Sequence, residues 1–134
     1  MKKTIILIMV LVLAIISFFI LEIDEQDLGG NYYYLPAYEA VDVGYPGGAI
    51  IYKSQQKYSY SDVKIQEEVI SVNNNKDFVL AIQKLNNSST KRDSLQYYII
   101  AKKSDLVYGP YDKKRYMQKR KELNVPNKLI LKVE

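Results

Sequence analysis

Histidine, cysteine and tryptophan are absent from this 134-residue chain, and glycine and proline are sparse at six and four. Without histidine the chain has no imidazole base and no side chain that ordinarily changes charge near neutral pH. Without cysteine it has no thiolate nucleophile, no soft metal ligand, no disulfide and no thiol on which a lipid could be carried. No glycine-rich phosphate loop is present. Asp24 to Asp27 also lack the alternating oxygen ligands and the glycine of a calcium loop.

Catalysis would therefore rest on carboxylates, Lys, Tyr and Ser. Glu39 and Asp42 are the one carboxylate pair beside a glycine turn that invites a glycosidase reading, which needs two carboxyls on one site with separated pKa values. Read as a strand, the stretch puts residues three apart on opposite faces, so the pair is expected to be solvated charge. Lys57 and Ser59 carry no glycine-flanked context that would mark a nucleophile and its base. The sequence predicts no catalytic residue, no cofactor and no metal, and hence no enzyme.

What the chain does possess begins at Thr4, with the unbroken apolar run TIILIMVLVLAIISFFIL to Leu21. About 18 residues at 1.5 Å each cover about 27 Å, close to the ~30 Å of bilayer hydrocarbon. Lys2 and Lys3 precede it; Glu22, Asp24, Glu25 and Asp27 follow it. Positive flanks are held inside, which orients the N-terminus to the cytoplasm and sends the rest out. A cleaved secretory signal would have an apolar core of ~7–15 residues and small residues at the cut. Here the exit reads Phe18, Phe19, Ile20, Leu21, so a retained anchor is expected.

Thirteen tyrosines and three phenylalanines then supply much of the burial, and their preference for strands tilts the composition toward β. Strands are predicted over Asn31 to Leu35, Tyr38 to Val43 and Ala49 to Lys53, the last two forming a hairpin about the GYPGG turn. Val63 to Val72 reads as one bent strand or two short ones, and Asp77 to Lys84 as another after the NNNK turn. Leu95 to Lys102 is apolar on both faces, the mark of a central strand, and Leu106 to Tyr108 is its hairpin partner. Between them, Asn86 to Ser94 is the longest polar stretch and reads as a loop.

Periodicity changes after Pro110. Asp112 is placed to cap a helix running to Asn124, with Tyr116, Met117 and Leu123 as its apolar stripe and Pro126 as its stop. Lys128 to Val133 then reads as a last strand. The predicted architecture is α+β: a transmembrane segment over 1–22, an acidic juxtamembrane linker over 23–31, and a domain over 32–134. That domain is a mostly antiparallel β-meander of roughly six to eight strands with one C-terminal helix and a final strand.

Binding features concentrate at that helix. Lys113, Lys114, Arg115, Lys119, Arg120, Lys121, Lys128 and Lys132 face a single acid, Glu122. Such charge suits anionic headgroups, an anionic envelope polymer or an acidic protein. Tyr58 and Tyr60 interrupt the polar Gln55 to Asp62 stretch and join Lys113, Lys114, Arg115, Lys119 and Arg120 as the candidate binding surface. Nucleic acid is set aside by the expected export of the domain.

The segments DLGGNYYY (Asp27 to Tyr34), YYIIAK (Tyr97 to Lys102) and VYGPYDKKRYMQKRKELNVP (Val107 to Pro126) resemble a family of small exported bacterial proteins, domain of unknown function 3997. The resemblance implies export and a bacterial envelope location, and carries over no catalytic residue. Relatives commonly have a lipobox cysteine, which this chain lacks. The expected function is a membrane-anchored extracytoplasmic binding or structural domain, with an immunity or inhibitor protein as the alternative.

Overall fold

The computed structural model describes residues 1, 4–6, 8–10, 12, 25–87 and 92–133. Residues 4–6, 8–10 and 12 are helical, but most of the apolar run lies outside the described residues. Among those described, no helix is long and apolar enough to cross a membrane.

Two four-stranded antiparallel sheets make the domain. The first has the order β1 (Gln26–Gly29), β2 (Tyr32–Leu35), β3 (Ile50–Lys53) and β4 (Val63–Ile65). The second runs β5 (Val69–Asn74), β6 (Phe78–Asn87), β7 (Arg92–Ala101) and β8 (Leu106–Tyr111). Two helices accompany them, α1 (Ala37–Asp42) and α2 (Lys113–Glu122). The predicted antiparallel, mostly β content is correct at that level. The single meander is not, because the chain changes sheets between β4 and β5.

That change occurs at Glu67 and Glu68, whose φ angles of 52° and 47° turn the chain through the left-handed region. Left-handed backbone costs a non-glycine residue roughly 1–2 kcal/mol, so something must hold it there. Gln83 of β6 does, donating its side-chain amide to the carbonyls of Gln66 and Glu67, while its own oxygen accepts from the Tyr98 hydroxyl at 2.8 Å. The bent-or-two-strands question over Val63 to Val72 resolves as two strands, one in each sheet.

Alternation in each strand sorts side chains into three cores. Leu28, Tyr32, Ile51 and Ile65 of the first sheet meet Val79, Ala81 and Ile100 of the second, so the sheets pack face to face. Tyr33, Leu35, Ile50 and Tyr52 point to the other side of the first sheet, where Ala40 of α1 covers them. Leu80, Ile82, Tyr97 and Ile99 do the same on the second sheet beneath Tyr116 of α2. The layer order is α1, first sheet, second sheet, α2. β7 is internal in its sheet and buried on both faces, as its sequence predicts.

Several elements differ from expectation. Gln26–Gly29, read as part of a linker, is the edge strand β1, paired to β2. Residues Tyr38 to Asp42 lie in a helix, with Val43 as its C-cap, rather than in a strand: Pro36 cannot donate to a ladder, and its carbonyl instead accepts from Ala40 at 2.9 Å. The partner of β3 is therefore β2, with Tyr33 opposite Tyr52 and Tyr34 opposite Ile51. The expected polar loop over Asn86 to Ser94 is shorter, since β6 reaches Asn87 and β7 starts at Arg92. β8 continues through the cis Gly109–Pro110 bond to Tyr111. Only glycine fits at 109, where a Cβ would stand 2.7 Å from the Tyr97 carbonyl oxygen.

α2 begins as predicted, with the Asp112 carboxylate accepting from the Arg115 amide at 2.7 Å. Its buried residues are Tyr116 and Arg120, whereas Met117, expected in the apolar stripe, is 47% exposed. The closing stretch Lys128 to Val133 is not a strand. Leu129 is buried and Leu131 packs against the same core, but the backbone finds side-chain partners instead of a ladder.

Candidate functional site

The densest polar constellation gathers at Asp105, in the turn between β7 and β8, with φ 57°. Its carboxylate accepts from the Tyr32 hydroxyl and forms ion pairs with Lys53 at 3.2 Å and Lys64 at 3.0 Å. Lys64 also meets Asp62 at 2.9 Å. Residues of β2, β3 and β4 thus converge on a turn of the opposite sheet. Burial alone would raise the Asp105 pKa; the hydrogen bonds from Tyr32, Lys64 and Lys53 overcome that and bring it to about 2. Burial likewise would lower Lys64, and its two carboxylate partners reverse the direction. Burial and the Asp105 charge both push the Tyr32 hydroxyl up.

Charges at this cluster are matched two against two, and every one is engaged. An open cavity of about 470 Å³ adjoins it, walled by Lys53, Asp62, Asp105 and the loop residues Gln56, Ser59 and Ser61. Tyr58 and Tyr60, the aromatic candidates on that loop, do not line it; the serines beside them do. Tyr58 is 61% exposed, held at φ 64° with its amide donating to the Tyr52 hydroxyl at 3.1 Å. Tyr60 turns the other way and packs edge-on against Tyr52, ring centres 4.9 Å apart. The structure does not bring the two tyrosines together as one surface.

A buried carboxylate lies at the start of the domain. Glu25 accepts from the Tyr52 hydroxyl through one oxygen and leaves the other, Oε2, buried without a partner among the described residues. Burial raises its pKa; Lys57 opposes this and the charges of Glu39 and Asp27 add to it. Glu39 and Asp42 sit on α1, where residues three apart share a side, so the strand argument for separating them does not apply. No group of acidic residues suited to a metal occurs among the described residues.

The basic candidates divide into three environments. Arg120 is buried, donating to the Tyr116 hydroxyl at 3.1 Å and to the carbonyls of Pro126 and Leu129 at 3.0 and 2.7 Å. Arg115 and Lys119 both pair with Glu122, at 3.1 and 2.7 Å, and lie over the rings of Tyr111 and Tyr108. Lys113 and Lys114 are exposed. Lys113, Met117 and Lys121 recur every four residues and so share one helix face, which was not singled out from sequence. Beside that face Ile130 and Val133 are each 55% exposed.

Comparison with known proteins adds a family and no activity. The family model described as "Protein of unknown function (DUF3997)" matches residues 30–134. The chain belongs to this family. The DUF3997 match spans β2 to the C-terminal segment and so covers nearly all of both sheets and α2. No curated protein and no solved structure matches the chain.

The sequence carried no signal for the Asp105 cluster, because Tyr32, Lys53, Lys64 and Asp105 are brought together only by sheet packing. Glu25 was hidden in an acidic stretch that reads as solvated. For Met117 and Lys121 half of a signal existed: the four-residue spacing from Lys113 marks one face, but only the burial of Tyr116 and Arg120 in the structure shows that this face turns outward.

Proposed function

We propose that this DUF3997 member is a membrane-tethered, extracytoplasmic domain that works by contact rather than catalysis. The observation that carries the reading is the contrast between its two charged regions. At Asp105 every carboxylate and ammonium is matched within the fold, which suits a strut between sheets. On the outer side of α2 and the C-terminal segment, Lys113, Lys121, Lys128 and Lys132 make no ion pair among the described residues and lie near exposed Met117, Ile130 and Val133. A surface that keeps both unpaired charge and exposed apolar side chains has the composition of an interface.

The Thr4 to Leu21 run and the lysines before it support the tether and its direction. An immunity or inhibitor protein is the second reading, favoured by the same unpaired lysines, which complement an acidic enzyme cleft. Alkaline carbonate extraction of cells expressing the full chain, followed by protease added to intact spheroplasts, tests the primary reading. The full-length chain should stay in the membrane pellet and lose its domain to the external protease. A shortened soluble species, or complete protection from protease, would count against it.

A further inference from the structure

The outer surface of α2 offers more than charge. Between this helix and the C-terminal segment lies a mainly apolar cavity of about 220 Å³, lined by Ile82, Tyr97, Tyr116, Met117, Ile130 and Leu131. That is below the ~300–1,000 Å³ of small-molecule sites, and closer to the room one large side chain needs. A second cavity adjoins it, sharing Met117, Arg120 and Asn127 and reaching Lys121. Lys113 stands at the wall of the first, Lys121 at the wall of the second, and Lys128 follows Asn127. Glu122, the one acid of the helix, is occupied by Arg115 and Lys119.

The arrangement is an apolar recess with Lys113 on its wall and Lys121 on the wall of the adjoining one, neither lysine having a carboxylate partner among the described residues. We propose that this face binds an acidic protein surface which inserts one bulky apolar side chain beside Met117 while its carboxylates meet Lys113, Lys121 and Lys128. The central side chain is the anchor, and the rim charges set orientation and partner choice. A plain polyanion would leave the apolar recess exposed, whereas a lipid surface conflicts with the tether.

The conflict is one of length, and it rests on the tethered reading. Three residues separate Leu21 from Glu25, four Cα–Cα steps that span at most about 14 Å of chain. Glu25 is bonded to Tyr52 on the α1 side of the first sheet, while α2 lies beyond the second. Sheets pack about 10 Å apart and a helix adds about 10 Å more, so the α2 face stands farther from Glu25 than the tether reaches. It cannot lie flat on the bilayer that holds the chain, and it is left open to a partner in the surrounding space.

Panning a random peptide library on phage against the full chain in phosphatidylcholine nanodiscs tests the proposal. Enriched peptides should carry a Leu, Phe or Trp flanked by Asp or Glu. Their affinity should fall at least about tenfold with Lys113→Glu plus Lys121→Glu, and by a similar factor with Met117→Ser, as expected when a rim charge or an anchor contact is lost. Lys114→Glu should leave it unchanged. Both lysines and Met117 are exposed, so unaltered circular dichroism will show that the variants fold.

Peptides without that pattern, binding indifferent to the variants, or no enrichment on this face would overturn the proposal. So would two spectroscopic outcomes in the tryptophan-free background of this chain: a blue shift of Met117→Trp emission in anionic vesicles, which assigns the face to lipid, or one that depends on protein concentration, which assigns it to a second copy. Carbonate extraction fails or succeeds independently of peptide binding, so loss of the tether and loss of the interface are separate results.

Discussion

Two carboxylates of this domain have opposite pH dependences, because hydrogen bonds outweigh burial at Asp105 and burial prevails at Glu25. Asp105 has its pKa drawn from 3.8 to about 2 by Tyr32, Lys64 and Lys53 once the opposing effect of burial is overcome. Its contribution to stability is therefore complete above about pH 4 and is lost as pH falls toward 2. The side chain is 38% exposed, so solvent screening limits its worth to about 1 kcal/mol at neutral pH. Asp105→Asn should lower the melting temperature at pH 7 and narrow its gap from the wild type near pH 2; an equal gap at both pH values would deny the cluster its role as a strut. Glu25 runs the other way. Burial raises its pKa above 4.5, so its protonated form favours the fold, with the benefit complete below about 4.5 and lost as pH rises through the folded-state value. Glu25→Gln keeps an oxygen for the Tyr52 hydroxyl and removes the buried charge. It should stabilise the chain at pH 7 and flatten the dependence of stability on pH above 5, measured by chemical denaturation. Neither residue announced itself in the sequence. A carboxylate among carboxylates and an aspartate in a turn look solvated until the fold supplies their neighbours.

Elements show where local pattern is enough and where it is not. Asp112 reads as an N-cap and is one, because capping needs only a side chain and an amide three residues on. The strands β6 and β7 were legible over most of their length, from Phe78 to Lys84 and from the doubly apolar Leu95 to Ala101, while their polar ends at Asn86, Asn87 and Arg92 to Ser94 read as loop. Tyr38 to Val43 misled, since a six-residue alternating run also satisfies one helical turn and a half, and the decision rests on Pro36 and on Ala40 fitting against the first sheet. The closing KLILKV segment is the instructive failure. Its alternation correctly points Leu129 and Leu131 inward, but its carbonyls are served by side chains: Arg120 donates to Leu129, and the Asn73 amide donates to Ile130 at 2.7 Å. A ladder was replaced by two donors that no periodicity reveals. Arg120 is thus the fastener of the C-terminal segment, and a basic run had disguised it as surface. Arg120→Met should cost about 3 kcal/mol, because the carbonyls of Pro126 and Leu129 lose a charged donor in a buried setting. Amide exchange at Leu129 should accelerate in the variant beyond the global change. Exchange there that tracks only global stability would mean that the segment is held by its leucines alone.

At the scale of the molecule, one glutamine links the two sheets' geometries. β4 ends the first sheet at Ile65 and β5 opens the second at Val69, and the three residues between must turn the chain without a glycine. Sequence reading predicts glycine or asparagine at left-handed positions, so Gln66 to Glu68 gave no warning that one meander becomes two sheets. The compensation comes from afar: Gln83 spans from β6 to Gln66 and Glu67, and Tyr98 of β7 holds Gln83 in turn. Elsewhere the sheets are tied by Tyr32 to Asp105 and by Asn74 and Lys102, which both donate to the Leu28 carbonyl. Asp105 also holds Lys53 and Lys64 of β3 and β4, whereas at the β4 to β5 crossing the side-chain amides of Gln83 and Asn86 reach in from β6, Gln83 to the backbone carbonyls of Gln66 and Glu67 and Asn86 to the Glu68 carboxylate. Gln83→Leu preserves the volume and removes the donors, so the strained crossing should relax at a cost of about 2 kcal/mol. Because the loss falls on β3 and β4, their amides should exchange measurably faster than those of β6 and β7 in the variant, although all of them share the face-to-face core. Hydrogen exchange that rises equally across both sheets would show that apolar packing between Ile51, Ile65, Val79 and Ile100 sets the junction, with the glutamine contributing only to total stability.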